Sequence, residues 1–92
     1  MSYKIVFKES VKKELKRLPT KTQDRILDKI ESLADDPKQY GVIKMTEFDL
    51  PSLPFNDYYR VRVGDYRIVY AIEDKIITIT IVKIAHRKEV YE

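Results

Sequence analysis

Residues 58–70 read YYRVRVGDYRIVY, and the fold turns on how this stretch is read. Apolar and polar side chains alternate on both sides of Gly64-Asp65, the pattern of two half-buried strands joined by a two-residue turn. Such a turn pairs Val63 with Tyr66 and Arg62 with Arg67, and paired residues share a face of the sheet. Val61, Val63, Ile68, Tyr70 and Ile72 then point one way, continued by Ile77, Ile79 and Ile81 in the β-rich run IITITIVKI at 76–84. The opposite face carries Arg60, Arg62 and Arg67 beside Val69, Ala71, Thr78, Thr80 and Val82, a shallow, positively charged floor.

Upstream, YKIVFK at 3–8 reads as another strand with Tyr3, Ile5 and Phe7 on one side. From Ser10 the period becomes helical: Val11, Leu15 and Leu18 recur at helix spacing, and Pro19 ends that helix. A second helix starts at Thr20, which stands three residues before Gln23 as in a capping box. Its stripe of Ile26, Leu27, Ile30, Leu33 and Ala34 ends at Asp36-Pro37. The stretch 37–57 holds three of the four prolines and is mostly connection, with room for a short strand at about Val42 to Phe48. AHRKEVYE at 85–92 suits one terminal helical turn. The expected fold is α+β: an antiparallel four-stranded sheet in the order β-α-α-β-β-β, two N-terminal helices on one face and a short C-terminal helical turn.

Ninety-two residues make one domain, 1–92, with one modest core. Charged residues at 36% and apolar ones at 43% fit a globular chain. No apolar run approaches the ~18 residues of a membrane span, so no membrane partner is expected. Cysteine is absent, which removes disulfides and thiolate chemistry. The N-terminal stretch MSYKIVFKES lacks the parts of a secretory signal, and the expected location is the cytoplasm. The net charge of +3 matters through its placement: Lys12, Lys13 and Lys16 crowd the first helix, whereas 37–57 is net acidic.

Arg62 opposite Arg67 costs the sheet on the order of a few tenths of a kcal/mol. Such a pair persists most readily when an anion lies between the two or when carboxylates compensate, and Asp57 and Asp65 are the carboxylates at hand. Arginine at all three positions suits planar, bidentate recognition of phosphate. Beyond the last strand, His86, Arg87 and Tyr91 approach the same edge, and Arg87 and Tyr91 share a face if that segment is helical. A tyrosine serves as general base only with a lowered pKa, which neighbouring guanidinium groups supply. One histidine excludes a two-histidine ribonuclease mechanism, leaving His86 as a general acid or a structural hydrogen-bonding group. No metal or other cofactor is expected, since the carboxylates show no ligand spacing and there is no Gly-rich phosphate loop.

The strand, the two helices joined at RLP, the meander with YYRVRVGDYRIVY and the terminal HRKEVY together resemble the RelE branch of the RelE/ParE toxin superfamily, over nearly the whole chain. The resemblance implies a toxin of a type II toxin–antitoxin system: a ribosome-dependent endoribonuclease, metal-independent, that cuts messenger RNA in the decoding site. It implies attack by a ribose 2′-hydroxyl on the adjacent phosphate, leaving a 2′,3′-cyclic phosphate and a 5′-hydroxyl. Arg60 and Arg62 match the family's two basic positions before the turn, Arg67 the arginine after it, and Arg87 the arginine after the last strand. Tyr91 matches the tyrosine that serves as base or stacks on a base, and His86 stands as the alternative proton carrier. Lys12, Lys13, Lys16, Lys83 and Lys88 are the expected RNA and ribosome contacts. Implied partners are the ribosome, messenger RNA and a cognate antitoxin, whose complex with the toxin binds operator DNA. The chain departs from the family at Ala85, where many members have glycine, and in a longer stretch from Thr46 to Asp57. The other readings are a ParE-like poison of DNA gyrase and a non-catalytic binding domain of the same fold.

Overall fold

The computed structural model describes residues 2–45 and 57–86. The elements run β1 (Lys4–Phe7), α1 (Glu9–Lys16), α2 (Thr20–Asp35), β2 (Ile43–Met45), β3 (Tyr58–Val63), β4 (Tyr66–Glu73), a 3₁₀ turn (Asp74–Ile76) and β5 (Thr78–His86). The C-terminal helical turn expected at 85–92 falls mostly outside the described residues.

Among the described residues the sheet is five-stranded and mixed, in the order β1-β5-β4-β3-β2, and not the four-stranded antiparallel sheet expected. Two features account for the difference. Ile43–Met45 is long enough to pair with Arg60, Tyr59 and Tyr58, which makes β2 a fifth strand at one edge. At the other edge β1 runs parallel to β5, Lys4 to Phe7 against Thr78 to Ile81. Parallel neighbours need a long crossover, and here α1, α2 and the rest of the sheet stand between the two strands in sequence.

The hairpin read from 58–70 forms in the expected register, with Val63 opposite Tyr66 and Arg62 opposite Arg67. Gly64 takes φ +58° at its tip, a left-handed conformation that glycine adopts without a Cβ penalty. β4 and β5 pair with one irregularity: Val69 faces Lys83 while Tyr70 faces Ile81, so Val82 is an extra residue in β5. This bulge reverses the alternation beyond it. Strict alternation from Ile79 and Ile81 carries Lys83 into the core. With the bulge, Ile84 takes that side opposite Ile68, and Lys83 turns to the far face beside Val69.

Both helices pack on one face. Val11 of α1 and Ile26, Ile30 and Leu33 of α2 meet Val61, Ile68, Tyr70, Ile79, Ile81 and Ile84 of the sheet, with Tyr3, Ile5 and Phe7 packed alongside. Ile77 does not belong to this face as expected: it sits in the turn before β5, 40% exposed and at φ 48°. The capping box at Thr20 does not form either, because Thr20 is already inside α2 and Pro19 is its N-cap. Gln23 instead donates its side-chain amide to the Leu18 carbonyl at 2.7 Å, which ties α2 to the end of the α1 segment.

Tyr70 is fully buried and donates its hydroxyl to the Pro37 carbonyl at 2.6 Å. Burial, with Tyr59 and Asp36 nearby, pushes its pKa well above the ordinary tyrosine value. Tyr3 donates to the Asp74 carboxylate at 2.6 Å, and this bond raises its pKa also. Among the described residues no helix is long and apolar enough to cross a membrane.

Candidate phosphate-binding face

The far side of the sheet is ordered by the strand register into rows. One row runs Arg62, Arg67, Ala85 across β3, β4 and β5; the next runs Ile43, Arg60, Val69, Lys83 from β2 to β5. A third row holds Met45, Tyr58, Ala71 and Thr80. The third row and its neighbours are not an open floor: Tyr58, Val69, Ala71 and Val82 form a small buried cluster on this side. The basic surface is therefore confined to the first two rows, at the end of the sheet nearest the β3–β4 turn.

There Arg60, Arg62 and Arg67 line one hollow of about 360 Å³, walled also by Gly41 and Ile43. The three arginines are not equivalent. Arg67 lies in the middle strand and is only 7% exposed. A stem held on all sides fixes the direction in which a guanidinium group presents its hydrogen-bonding edge. Arg60 is half-buried, and Arg62 is exposed. Because β2 pairs with β3 only as far as Arg60, the segment beyond it is a free edge among the described strands. Arg62 uses that edge: its Nε donates to the Gly64 carbonyl at 2.9 Å, which draws the guanidinium toward the turn. Asp57, expected to compensate these arginines, pairs instead with Lys44 at 3.4 Å.

The bulge decides two further placements. Lys83 joins the arginine face, opposite Val69 and one row from Arg67. His86 goes to the other face, opposite Tyr66, and the two rings meet edge to face with centroids 5.4 Å apart. Arg87, Lys88 and Tyr91 lie outside the described residues. Lys12, Lys13 and Lys16 are exposed on α1, in the helix layer and so across the sheet from Arg60 and Arg67. Lys12 is bridged to Glu9 at 3.3 Å, one helical turn away. Gly41 and Ile43 were not among the residues singled out from sequence; the signal for them was the short β-rich run after Tyr40, which places its side chains next to Arg60. Among the described residues no three His, Asp or Glu side chains are grouped to hold a metal ion.

In chemical terms the hollow offers a row of N–H forks with no carboxylate among the described residues of its walls. It can bind a dianion or a phosphodiester and stabilise charge growing on the oxygens. It cannot remove a proton, because arginine does not deprotonate in proteins.

Residues 5–91 match the family described as the ParE toxin of the type II toxin–antitoxin system parDE. A Methanocaldococcus jannaschii protein carrying the RelE1 toxin name is 33% identical over 95 residues, which cover 100% of this chain and 98% of that protein. The toxin RelE3 of the same organism is 29% identical over 97% of this chain and 96% of its own. The crystal structure of the archaeal RelE–RelB complex from Pyrococcus horikoshii OT3 holds a similar chain, with a TM-score of 0.77 and 31% identity over 95% of this chain and 97% of that one. The chain thus belongs to the RelE/ParE superfamily of toxins of type II toxin–antitoxin systems, with relatives that bear RelE names.

Proposed function

We propose that this toxin is a ribosome-dependent endoribonuclease that cuts messenger RNA in the decoding site. The observation that carries the reading is the convergence of Arg60, Arg62 and Arg67 on one hollow, with no carboxylate among the described residues of its walls. The nucleophile is a ribose 2′-hydroxyl of the message, which attacks the adjacent phosphorus; the bond to the 5′-oxygen breaks, leaving a 2′,3′-cyclic phosphate and a 5′-hydroxyl. Since the RNA supplies its own nucleophile, the protein's part is in-line positioning and stabilisation of the charge on the phosphoryl oxygens. Arg67, with its stem buried, is the fixed member of the clamp, and Arg60 and Lys83 hold the neighbouring backbone. By family resemblance Arg87 joins them, Tyr91 accepts the 2′-hydroxyl proton, and the departing 5′-oxygen takes its proton from water. His86 packs against Tyr66, on the face away from the arginines, and takes no part in proton transfer. The reaction calls on no metal or cofactor.

Lys13 and Lys16 contact ribosomal RNA through phosphates, a mode sensitive to salt and indifferent to sequence. The toxin acts in the cytoplasm, and a cognate antitoxin neutralises it, as the RelE–RelB complexes among its structural neighbours suggest. The toxin–antitoxin complex binds operator DNA. A gyrase-poisoning role has one observation in its favour, the ParE name of the matched family. Addition of the protein to a translation extract, with mapping of messenger RNA 5′ ends, separates the two. Cuts linked to codon position support the nuclease; intact message with trapped gyrase–DNA complexes overturns it.

A further inference from the structure

On the helix side of the β3–β4 turn lies a second hollow, of about 470 Å³, whose walls include Arg25, Asp28, Lys29, Arg62 and Gly64. Arg25 and Lys29 are one turn apart on α2 and present the same face. The Arg25 guanidinium turns its terminal nitrogens toward the hairpin tip: a Cβ built on Gly64 stands 3.4 Å from both of them. Arg62 reaches the same peptide unit from the other side, through its bond to the Gly64 carbonyl. Two guanidinium groups therefore converge on one glycine, with an ammonium group beside them.

This gathering of cations is not neutralised from within. Asp28 is the single carboxylate among the described residues of the walls, and neither it nor Arg25 forms an ion pair with a described residue. Lys29 gives one N–H to the Gln39 side chain at 3.2 Å and has two further donors. Cations gathered in an open trough raise the local concentration of anions. Guanidinium forks at its edge select tetrahedral oxyanions that accept two hydrogen bonds at once.

We infer that Arg25, Lys29 and Arg62 hold a phosphate group behind the β3–β4 turn, separate from the hollow on the sheet face. Arg62 lines both hollows, so a phosphate in each is joined through one side chain. A strand passing over the free edge of β3 places successive backbone phosphates on its two sides. That the phosphate belongs to an RNA strand rests on the function proposed above; the site itself does not.

The test uses the intact chain and inorganic phosphate, followed by the Gly64 amide and the arginine Nε resonances in NMR spectra. A saturable shift of Gly64 is expected, weakened at least tenfold when Arg25→Gln and Lys29→Gln are combined and kept in Lys38→Gln, which lies outside the hollow. An absent shift, or one equal in the double variant, overturns the site. A second arm measures binding of a single-stranded oligonucleotide lacking 2′-hydroxyls against salt. A backbone phosphate in the site lowers the slope of log K on log salt by about 0.7 in the double variant, at ~0.7 per phosphate contact. An unchanged slope with phosphate binding intact assigns the site to a free phosphate or nucleotide. If the Gly64 shift appears only with an acidic peptide, the site reads carboxylates and the inference fails. Neither arm requires cleavage, so loss of the nuclease reading and loss of this site are told apart.

Discussion

His86 and Tyr66 meet edge to face on the helix side of the sheet, their ring centroids 5.4 Å apart, while Arg67, one residue along β4, faces the other way. The separation follows from the bulge at Val82, and it divides the residues near the end of β5 between two surfaces. Edge-to-face ring pairs contribute about 0.5–1.5 kcal/mol beyond simple burial. His86→Phe is therefore expected to keep both stability and cleavage rate, and His86→Ala to lower the melting temperature while keeping the rate within a few-fold. Thermal unfolding and single-turnover cleavage on programmed ribosomes check this. A loss of more than tenfold in rate for His86→Phe puts the imidazole in the chemistry.

Arg67 calls for a different substitution. With 7% exposure its stem fills space between strands, and truncation to alanine mixes a packing loss with a lost phosphate contact. Arg67→Lys keeps most of the stem and the charge but loses the fork. The expected result is a fall in rate of more than tenfold, about 1.4 kcal/mol or more of transition-state stabilisation, with a smaller change in binding. Equal rates for the parent and Arg67→Lys mean that Arg67 has no part in holding the reacting phosphate.

The hairpin tip offers a test of backbone and site together. Gly64 at φ +58° resists any side chain, and Gly64→Ala places a methyl in ordinary contact with the Arg25 guanidinium. The conformational cost is about 1 kcal/mol, near 4–8 °C in melting temperature for a domain of this size. Gly64→Asn, whose side chain tolerates the left-handed region, is expected to lose less. If alanine and asparagine are equally harmless in thermal unfolding, the turn relaxes and carries no strain.

How far this architecture was legible depended on range along the chain. The 58–70 hairpin, its register and the helical stripe of Ile26, Ile30 and Leu33 follow from local period, and the structure has them. The pairing of β1 with β5 joins opposite ends of the chain, and alternation in Tyr3, Ile5 and Phe7 says which face they bury but not which strand they lie against. The bulge had a trace in the sequence: Lys83 falls in phase with Ile79 and Ile81, and a lysine at a core position signals a break in alternation. Missing it put His86 with the arginines. At the site, the cross-strand placement of Arg60, Arg62 and Arg67 was readable from the turn alone. The burial of Arg67, the diversion of Asp57 to Lys44 and the approach of Arg25 to Gly64 depend on tertiary packing and were not.

Alkaline pH is expected to unfold this protein through its tyrosines. Tyr70 and Tyr3 both have pKa values raised in the folded state, Tyr70 by burial and Tyr3 by its bond to Asp74. An unfolded tyrosine titrates near 10, so the stabilising contribution is complete below about pH 10 and is lost as pH rises above it, where the unfolded chain releases protons that the folded chain keeps. For the Tyr70 proton the slope is at most ~1.4 kcal/mol per pH unit. Urea unfolding at successive pH values reads it. Tyr70→Phe is expected to lower stability by roughly 1–3 kcal/mol at neutral pH, by orphaning the Pro37 carbonyl, and to flatten the decline above pH 10. A variant that declines as steeply as the parent clears Tyr70 of the effect.

The placement of the α1 lysines across the sheet from Arg60 and Arg67 predicts that docking and chemistry separate. Lys12 is engaged by Glu9, so Lys13 and Lys16 are the better pair to change. Removing both charges is expected to weaken ribosome association at moderate salt. It is also expected to lower the slope of log K on log salt by roughly 1.8, at ~0.9 per phosphate contact of duplex nucleic acid. The single-turnover rate at saturating toxin is expected to stay at the parent value, because neither lysine shares a face with the arginine hollow. Arg67→Lys is expected to do the opposite, keeping the salt slope and losing the saturated rate. Cleavage measured against toxin concentration at two salt levels distinguishes the patterns. Should the Lys13 and Lys16 double variant lose its saturated rate as well, α1 reaches the reacting strand, and the division of this small domain into a docking face and a chemical face is wrong.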